Sequence, residues 1–201
     1  MRVDISVLAG GSSSRMGRDK ASIEWNGQTI LERIVTAARS TGRNTFVVGR
    51  EKPDKWNIDS VDFYRDDRIG EGPLAGLSKA LSITTADAVL ALACDTPLLT
   101  RTSIDWLLRV TEQLYLSEDG VAVRNSGRLD PLFSIYAKSC QPRIELMLTS
   151  GNRALYKLIQ SAKFLTIDAP AEVSSELINF NSPEDWLALT NGAARIGCPC
   201  R

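Results

Sequence analysis

The sequence predicts a single-domain α/β protein built on a doubly wound, mostly parallel sheet. Two observations predict it: apolar runs of strand length alternate with amphipathic segments, and 201 residues suit one domain. No repeat, linker or low-complexity tract divides the chain. We therefore expect one domain over residues 1–192 and a disordered C-terminal tail over residues 193–201, where the periodicity is lost.

Five apolar runs predict the strands of the core, and three amphipathic segments predict helices between them. The predicted strands cover residues 4–9, 45–48, 61–64, 88–93 and 120–123. The predicted helices cover residues 30–40, 74–83 and 104–116, because their apolar residues recur at helical spacing. Ligands of open α/β sheets lie beyond the carboxyl ends of the strands, so the residues that follow the strands are the candidates for a site.

After residue 123 the pattern loosens into a smaller β/α extension of the core. Residues 132–136 alternate like a strand with one exposed face, and residues 164–167 predict a further strand. Short helices are predicted over 144–148 and 154–159, and a closing helix over 183–189. Ser182 is the predicted cap of that closing helix, with Pro183 in its first turn.

The first strand runs into a glycine-rich, cationic segment, residues 10–20. Gly10 and Gly11 lack the Cβ that would keep a ligand away from the backbone, so their N–H groups can reach phosphate oxygens. The segment is not a P-loop, because five residues separate Gly11 from Gly17 and no Lys-Ser/Thr pair follows. Its cations are Arg15, Arg18 and Lys20. Clustered cations beside exposed backbone donors predict a polyphosphate site.

Asp95 follows the most apolar run of the chain, residues 88–93, and precedes Thr96 and Pro97, which block continuation of a strand. Mg²⁺ binds in proteins through one or two carboxylates together with substrate phosphates. Asp95 is therefore the predicted ligand of a Mg²⁺ cofactor. The alternative is that Asp95 caps the helix that begins near Thr102. The distance along the chain between the two residues disfavours this role.

Composition excludes several classes of protein. Lys+Arg and Asp+Glu both total 24, so the formal net charge is zero and nothing predicts a nucleic acid partner. The chain has no His, which removes the Ser-His-Asp and Cys-His schemes of catalysis. No apolar stretch approaches the about 20 residues of a membrane span and no signal-like segment opens the chain, so we expect a cytoplasmic protein without membrane contact. Cys198 and Cys200 form no zinc pattern.

Four blocks of sequence carry a resemblance to a known family. The first is Leu8-Ala9-Gly10-Gly11-x-Ser13-x-Arg15-Met16-Gly17-x-Asp19-Lys20, which resembles the signature of the sugar-nucleotide-type nucleotidyltransferases and comes closest to the molybdenum cofactor guanylyltransferases. The others are Gly72-Pro73-Leu74-Ala75-Gly76, Cys94-Asp95-Thr96-Pro97 and Asn179-Phe180-Asn181-Ser182-Pro183-Glu184-Asp185. The resemblance spans residues 3–190. It implies a Rossmann-like nucleotidyltransferase fold whose small β/α extension lies on the acceptor side.

The resemblance also implies a reaction and its partners. GMP would pass from GTP to the terminal phosphate of molybdopterin or Mo-molybdopterin, with release of pyrophosphate, and other proteins of molybdenum cofactor biosynthesis are further candidate partners. A phosphate monoester is largely ionised at neutral pH, so its attack needs no general base. The alternative within the enzyme class is a cytidylyltransferase acting on a pterin or an alcohol phosphate. The alternative from another class is a non-catalytic nucleotide-binding module.

The predicted site residues fall into three groups. The catalytic group is Lys20, Arg15 and Asp95, with Asp95 on the metal. The nucleotide-binding group is Leu8, Ala9, Gly10, Gly11, Lys20, Asp66, Gly72, Pro73, Leu74 and Asp95. The acceptor-binding group is Arg153, Asn179 and Asn181.

Four alternatives stay open among these residues. Asp67 could replace Asp66, since the two are adjacent, and Arg128 could grip the acceptor in place of Arg153. Asn181 either helps to hold the metal or belongs to the start of the closing helix. Arg50 follows Val48-Gly49, where some members of the family carry an asparagine, so the base or ribose contact made there is open.

Overall fold

The computed structural model describes residues 1–10, 19–68, 70–112 and 119–196, with side chains as far as residue 191. Within these ranges the strands are β1 (Val3–Leu8), β2 (Glu24–Trp25), β3 (Gln28–Thr29), β4 (Thr45–Val48), β5 (Asp62–Tyr64), β6 (Ala88–Ala93), β7 (Gly120–Asn125), β8 (Arg128–Ala137) and β9 (Phe164–Asp168). The helices are α1 (Ile30–Arg39), α2 (Pro73–Ile83), α3 (Arg101–Glu112), α4 (Gln141–Thr149), α5 (Leu155–Ser161), α6 (Ala171–Glu176) and α7 (Pro183–Ile196).

The larger sheet has seven strands in the order β5-β4-β1-β6-β8-β7-β9. Only β8 runs against the others, pairing antiparallel with both β6 and β7, while the remaining ladders are parallel. Every residue of β1 and β6 is buried, because helices cover both faces of the sheet. The predicted doubly wound, mostly parallel α/β fold is confirmed.

Two hydrophobic clusters fill the two faces of the sheet. One contains apolar residues of α1, α3 and α6 together with Phe180, and the other contains those of α2, α4 and α5. Successive residues of a strand point to opposite faces, so Leu90 joins the first cluster and Val89 the second. In the described part of the chain no helix is long and apolar enough to cross a membrane.

Three differences from the sequence prediction have local causes. Asn26 and Gly27 both adopt positive φ and turn the chain between β2 and β3, a hairpin that the Asn-Gly pair signals and the prediction missed. The six-residue helix α6 was also missed, because it is shorter than the window over which periodicity is read. The closing helix continues to Ile196, so the first four residues of the predicted disordered tail are helical, while residues 197–201 lie outside the described ranges.

Candidate functional site

The carboxyl ends of four parallel strands lie side by side at one edge of the sheet. Gly10 follows β1, Gly49 follows β4, Asp66 lies beyond β5 and Asp95 lies beyond β6. Because β1 lies between β4 and β6, the connection through α1 to β4 covers one face of the sheet and the connection through α2 to β6 covers the other, which is the arrangement in which a crevice opens at this edge. The predicted convergence of separate motifs on one edge is confirmed.

Gly10 and Gly49 lie in close backbone contact at this edge. A Cβ on Gly49 would lie 2.4 Å from the Gly10 nitrogen, and Gly49 has a φ of 101°, which side chains rarely adopt. The strands stay bonded beside the contact, since the Ala9 N–H donates to the Val48 carbonyl at 2.8 Å. Gly49 is thus required by the geometry, although the sequence prediction did not include it in the site.

A cavity of about 270 Å³ lies over these glycines, and we call it the glycine pocket. Its lining residues are Gly10, Gly49, Arg50, Glu51, Arg65, Asp66 and Gly70. The structure distinguishes the two adjacent aspartates: Asp66 lines the pocket, whereas the Asp67 carboxylate pairs with Lys79 at 2.7 Å. Asp66 also accepts a hydrogen bond at 3.0 Å from the backbone N–H of Arg68, which orients its carboxylate.

Lys20 joins the beginning and the end of the chain at the centre of the site. Its ammonium nitrogen donates to Asp95 Oδ2 at 3.1 Å and to Asn181 Oδ1 at 2.8 Å, and it lies 5.3 Å from the centre of the Phe180 ring. The side chains of Lys20 and Asp95 are only 13% and 21% exposed, so their interaction is poorly screened by water. Three predicted site residues therefore meet at one point.

Local structure holds Lys20 in place. It begins a short 3₁₀ helix, Lys20–Ser22, whose first turn is capped by the Asp19 carboxylate. Asp19 also forms an ion pair with Arg50 at 2.9 Å, which ties the end of the glycine-rich segment to the end of β4. Arg50 thus contributes through Asp19 at the position where some members of the resembled family carry an asparagine.

Asp95 is not a helix cap. The N–H of Thr102, in the first turn of α3, donates to the Thr100 hydroxyl at 3.2 Å, so Thr100 supplies the side-chain acceptor there. The Asp95 backbone carbonyl instead accepts a bond from the Phe180 N–H at 3.3 Å. Its carboxylate is left to face Lys20 and the crevice.

The oxygens around Lys20 fit a magnesium ion. Asp95 and Asn181 already direct two hard oxygen donors at one cationic group, and such oxygens are the ligands that Mg²⁺ takes. Among the described residues no group of three or more acidic, His or Cys side chains could hold a metal. Mg²⁺ commonly completes its shell with water and substrate phosphates, so two protein oxygens are sufficient.

Neighbouring residues at the start of α7 make different contacts. Ser182 caps the helix, accepting a bond from the Asp185 N–H at 3.1 Å, while the Asp185 carboxylate accepts from the N–H groups of Asn181 and Ser182. These bonds to the exposed carboxylate lower the pKa of Asp185. The Asn181 side chain takes no part in this cap and accepts a hydrogen bond from Lys20 instead. Only the backbone N–H of Asn181 belongs to the start of the closing helix.

A second, larger cavity of about 460 Å³ is lined in part by Asp95, and we call it the aspartate cleft. Asn179 lines it, as does Arg128, which the sequence analysis offered as an alternative to Arg153. The full lining is Pro73, Ala93, Asp95, Thr96, Asn125, Arg128, Leu129, Asp130, Pro131, Leu132, Leu155, Tyr156, Leu177 and Asn179. Asp95 thus borders the cleft while bonding Lys20.

Arg153 does not line the aspartate cleft, although Leu155 and Tyr156, which follow it closely in the chain, do. Its guanidinium donates to Glu71 Oε1 at 3.3 Å and to the Gly151 carbonyl at 3.1 Å. Glu71 precedes α2, so this contact joins the loop after β5 to the loop before α5.

Gly72, Pro73 and Leu74 open α2, with Gly72 at a φ of 75° and Pro73 in the first turn. Pro73 borders the aspartate cleft rather than the glycine pocket. The Leu74 side chain is fully buried in the core, which leaves only its backbone for the predicted nucleotide contact. Leu8 and Ala9 are likewise buried, and Gly10 is the first exposed residue after β1.

Several residues of the predicted polyphosphate site, Gly11 and Arg15 among them, lie within residues 11–18 and so outside the described ranges. Their contact with phosphate stays a prediction.

One further group beside the site, the Cys94 thiol, is excluded from nucleophilic chemistry. Burial, reinforced by the charge of Asp95, raises the pKa of the Cys94 thiol to about 12, so this thiol stays protonated at neutral pH.

Comparison with protein families and curated proteins gives consistent matches. A family model described as a MobA-like NTP transferase domain matches residues 5–165. The probable molybdenum cofactor guanylyltransferase of Opitutus terrae is 31% identical, over 90% of this chain and 91% of that protein. The molybdenum cofactor guanylyltransferase of Pseudomonas entomophila is 30% identical, over 90% of this chain and 94% of that protein.

Solved structures share the fold at lower identity. The molybdopterin-guanine dinucleotide biosynthesis protein A of Archaeoglobus fulgidus superposes with a TM-score of 0.79 at 19% identity, covering 96% of this chain and 99% of that one. The 2-C-methyl-D-erythritol 4-phosphate cytidylyltransferase of Thermus thermophilus gives a TM-score of 0.68 at 18% identity, covering 97% of this chain and all of that one (100%). At these identities the likeness concerns the fold alone.

Proposed function

Because the chain belongs to the MobA-like NTP transferase family, which comprises nucleotidyltransferases, we propose that it transfers GMP from GTP to the terminal phosphate of molybdopterin or Mo-molybdopterin. The products are pyrophosphate and the guanine dinucleotide form of the cofactor. The observation that carries the proposal is the contact of Lys20 with Asp95 and Asn181, in which Asp95 also lines the aspartate cleft.

The two cavities supply places for the two substrates. The glycine pocket takes the nucleoside of GTP, because Gly10 offers an exposed backbone and Asp66 a hydrogen-bond acceptor. The aspartate cleft, which is larger, takes the acceptor with its phosphate toward Asp95 and Lys20. Arg153, Asn179 and Asn181 remain the proposed acceptor-binding residues, and Arg128 joins them because it lines the cleft.

An oxygen of the acceptor phosphate attacks the α-phosphorus of GTP. The new bond joins that oxygen to the α-phosphorus, the bond from the α-phosphorus to the bridging oxygen breaks, and pyrophosphate leaves with the electron pair. The phosphate monoester is largely ionised at neutral pH, since its second pKa is about 6, so no residue needs to remove a proton. A chain without His is suited to such a reaction.

Catalysis then depends on alignment and on stabilisation of charge. The Lys20 ammonium can move from its carboxylate and amide partners to the negative charge that develops on the phosphates, together with the N–H groups of the glycine segment. Asp95 and Asn181 would hold Mg²⁺, which when bound supplies Lewis-acid stabilisation of phosphate oxygens. The Arg50–Asp19 ion pair holds Lys20, which adjoins Asp19, near the end of β4.

The proposal is tested by pyrophosphate release from GTP or CTP, with molybdopterin as acceptor and Mg²⁺ present. We expect release with GTP and not with CTP, and loss of release when molybdopterin is omitted. Preference for CTP would instead support a cytidylyltransferase. Tight GTP binding without release would support the non-catalytic nucleotide-binding module. The proposal places the reaction in the cytoplasm, with other proteins of molybdenum cofactor biosynthesis as sources of the acceptor.

A further inference from the structure

Asp130 lies where the sheet opens to form the aspartate cleft. The antiparallel ladder of β6 and β8 ends with Leu92 opposite Phe133, and Asp130, three residues before Phe133 on β8, lines the same cleft as Asp95. Pro131 has no N–H with which to extend the ladder, so the strands part at this point. The opening exposes the Asp130 side chain to the cleft, although the residue is half-buried.

The Asp130 carboxylate lacks a cationic partner in the described part of the chain. No Lys or Arg nitrogen of these ranges lies within ion-pair distance of it, in contrast to Asp95, which pairs with Lys20. It accepts a backbone hydrogen bond from Leu132, and its burial raises its pKa to about 6. A half-buried carboxylate without a counter-charge is costly, and donors supplied by a ligand would offset that cost.

The surroundings of Asp130 suit a flat heterocycle. Leu129, Pro131 and Leu132 line the cleft beside it, and Tyr156, which is 49% exposed, presents an aromatic ring to the same space. Apolar and aromatic walls with a few convergent polar groups are typical of small-molecule sites. Arg128, two residues before Asp130, brings a positive charge into the same cleft.

We propose that Asp130 is a further acceptor-binding residue, whose carboxylate accepts hydrogen bonds from the adjacent N–H groups of the acceptor's 2-amino-4-oxopteridine ring. The ring presents its N3–H and its 2-amino group side by side, and two carboxylate oxygens match such a pair of donors. This inference rests on the proposed function, since it names what the acceptor presents to the cleft. It leaves Asp95 and Lys20 for the phosphates.

The test compares Asp130→Asn with the wild-type protein in steady-state assays with GTP, Mg²⁺ and molybdopterin. Asn keeps the shape but replaces one acceptor oxygen by a donor, so we expect the KM for molybdopterin to rise about 10- to 100-fold, the range of one charged hydrogen bond. The KM for GTP and the Mg²⁺ concentration for half-maximal rate stay within twofold. Asp62→Asn, which removes the same charge from an exposed position on β5, leaves all three unchanged.

A readout without substrate separates ligand binding from a structural role. Removing an unpaired, half-buried carboxylate leaves the melting temperature of the metal-free protein at pH 8 unchanged or higher, whereas loss of a structural contact lowers it. Should Asp130→Asn be insoluble, Asp130→Glu keeps both oxygens on a longer stem. We then expect for Asp130→Glu a rise in acceptor KM that again leaves the GTP KM unchanged.

The outcomes are distinguishable from failure of the proposed function. A wild-type protein that releases no pyrophosphate from GTP with molybdopterin overturns the proposed function, and this inference with it. An active wild type with an unchanged acceptor KM in Asp130→Asn overturns the inference alone. A rise in the Mg²⁺ requirement with an unchanged acceptor KM also overturns it, since Asp130 would then act on the metal beside Asp95.

Discussion

The Lys20 ammonium nitrogen lies 3.1 Å from Asp95 Oδ2, joining residues that are 75 positions apart along the chain. Lys20 comes from the end of the glycine-rich segment and Asp95 from the end of β6, so their contact brings the two strongest sequence signals into one site. The pair is largely buried, and its charges are therefore effective on any phosphate placed between them.

Replacing either member of this pair removes charge stabilisation rather than structure. We expect Lys20→Ala and Asp95→Asn each to lower kcat for GTP and molybdopterin about 10²- to 10³-fold, the usual loss when one positioned donor is removed from a developing charge. The double variant loses less than the sum of the two, because both act on the same phosphates. Pyrophosphate release measures the rates, and calorimetry measures the melting temperature.

Lys163→Ala is the matched control for Lys20→Ala, since Lys163 is exposed and directly precedes β9, whose first residue pairs with Gly120 and not with the end of β7 that lines the aspartate cleft. It should retain full turnover. Wild-type turnover in a folded Asp95→Asn protein would contradict the proposed role of Asp95 with metal and phosphate.

The contact between Gly10 and Gly49 gives a second prediction. A methyl group on Gly49 would lie 2.4 Å from the Gly10 nitrogen, at a φ of 101°. We expect Gly49→Ala to lower the free energy of unfolding by about 2–5 kcal/mol, the sum of the left-handed backbone cost and the forced shift of β1. The variant protein that remains folded should also show a raised KM for GTP, because Gly10 is displaced.

Gly42→Ala separates these two effects. Gly42 has a φ of 76° but no atom within 4 Å of an added Cβ, so only the backbone cost of about 1–2 kcal/mol applies. Urea unfolding measures both variants. Equal destabilisation by the two substitutions would contradict the requirement for close approach at Gly49.

The sequence predicted the core strands and the common edge of the site because their signals are local. The bounds of β4 and β6 match the prediction, since each is a short run of buried, mostly apolar residues, followed by Gly49 in β4 and by Cys94 and Asp95 in β6. Gly10 and Asp95 follow such runs, which determines their edge of the sheet once the strands are parallel. The short hairpin β2–β3 and helix α6 were missed because too few residues carry their periodicity.

Other features depend on contacts across long stretches of chain. Asn181 reaches Lys20 over 161 positions, and only the bonds of Ser182 and Asp185 show that its side chain is not used in the cap. Asp130 became a site candidate only from the structure, in which it lines the aspartate cleft together with Asp95. Such residues have no spacing rule in the sequence.

The cap of α7 gives a third prediction, on stability and activity together. Ser182→Ala removes the acceptor of the Asp185 N–H and should lower the free energy of unfolding by about 1 kcal/mol, as losses of N-caps do. Because Asn181 adjoins the cap, its oxygen loses its fixed position near Lys20 and kcat falls severalfold. Thermal melting and pyrophosphate release measure the two effects. Ser175→Ala, an exposed serine of α6, is the control and changes neither property by a comparable amount.

The pKa of Asp130 gives a prediction on pH. Burial, and to a smaller extent the negative charge of Asp95, raise this pKa from its ordinary value of 3.8 to about 6, against the opposing effect of the Leu132 N–H. The native state therefore holds the Asp130 proton more tightly than the unfolded chain, and this group's contribution to stability is lost as pH rises through that interval. Arg128 is the basic residue that lines the same cleft.

Asp130→Asn removes this contribution. The melting temperature of the variant minus that of the wild-type protein should therefore increase as pH rises from about 4 to about 7. Scanning fluorimetry of the metal-free proteins in a series of buffers measures the difference. Asp62→Asn, on an exposed position of β5, should give a difference that varies far less over the same range. A constant difference for Asp130→Asn would show that Asp130 titrates at the same pH in the folded and unfolded chains, and that burial does not raise its pKa.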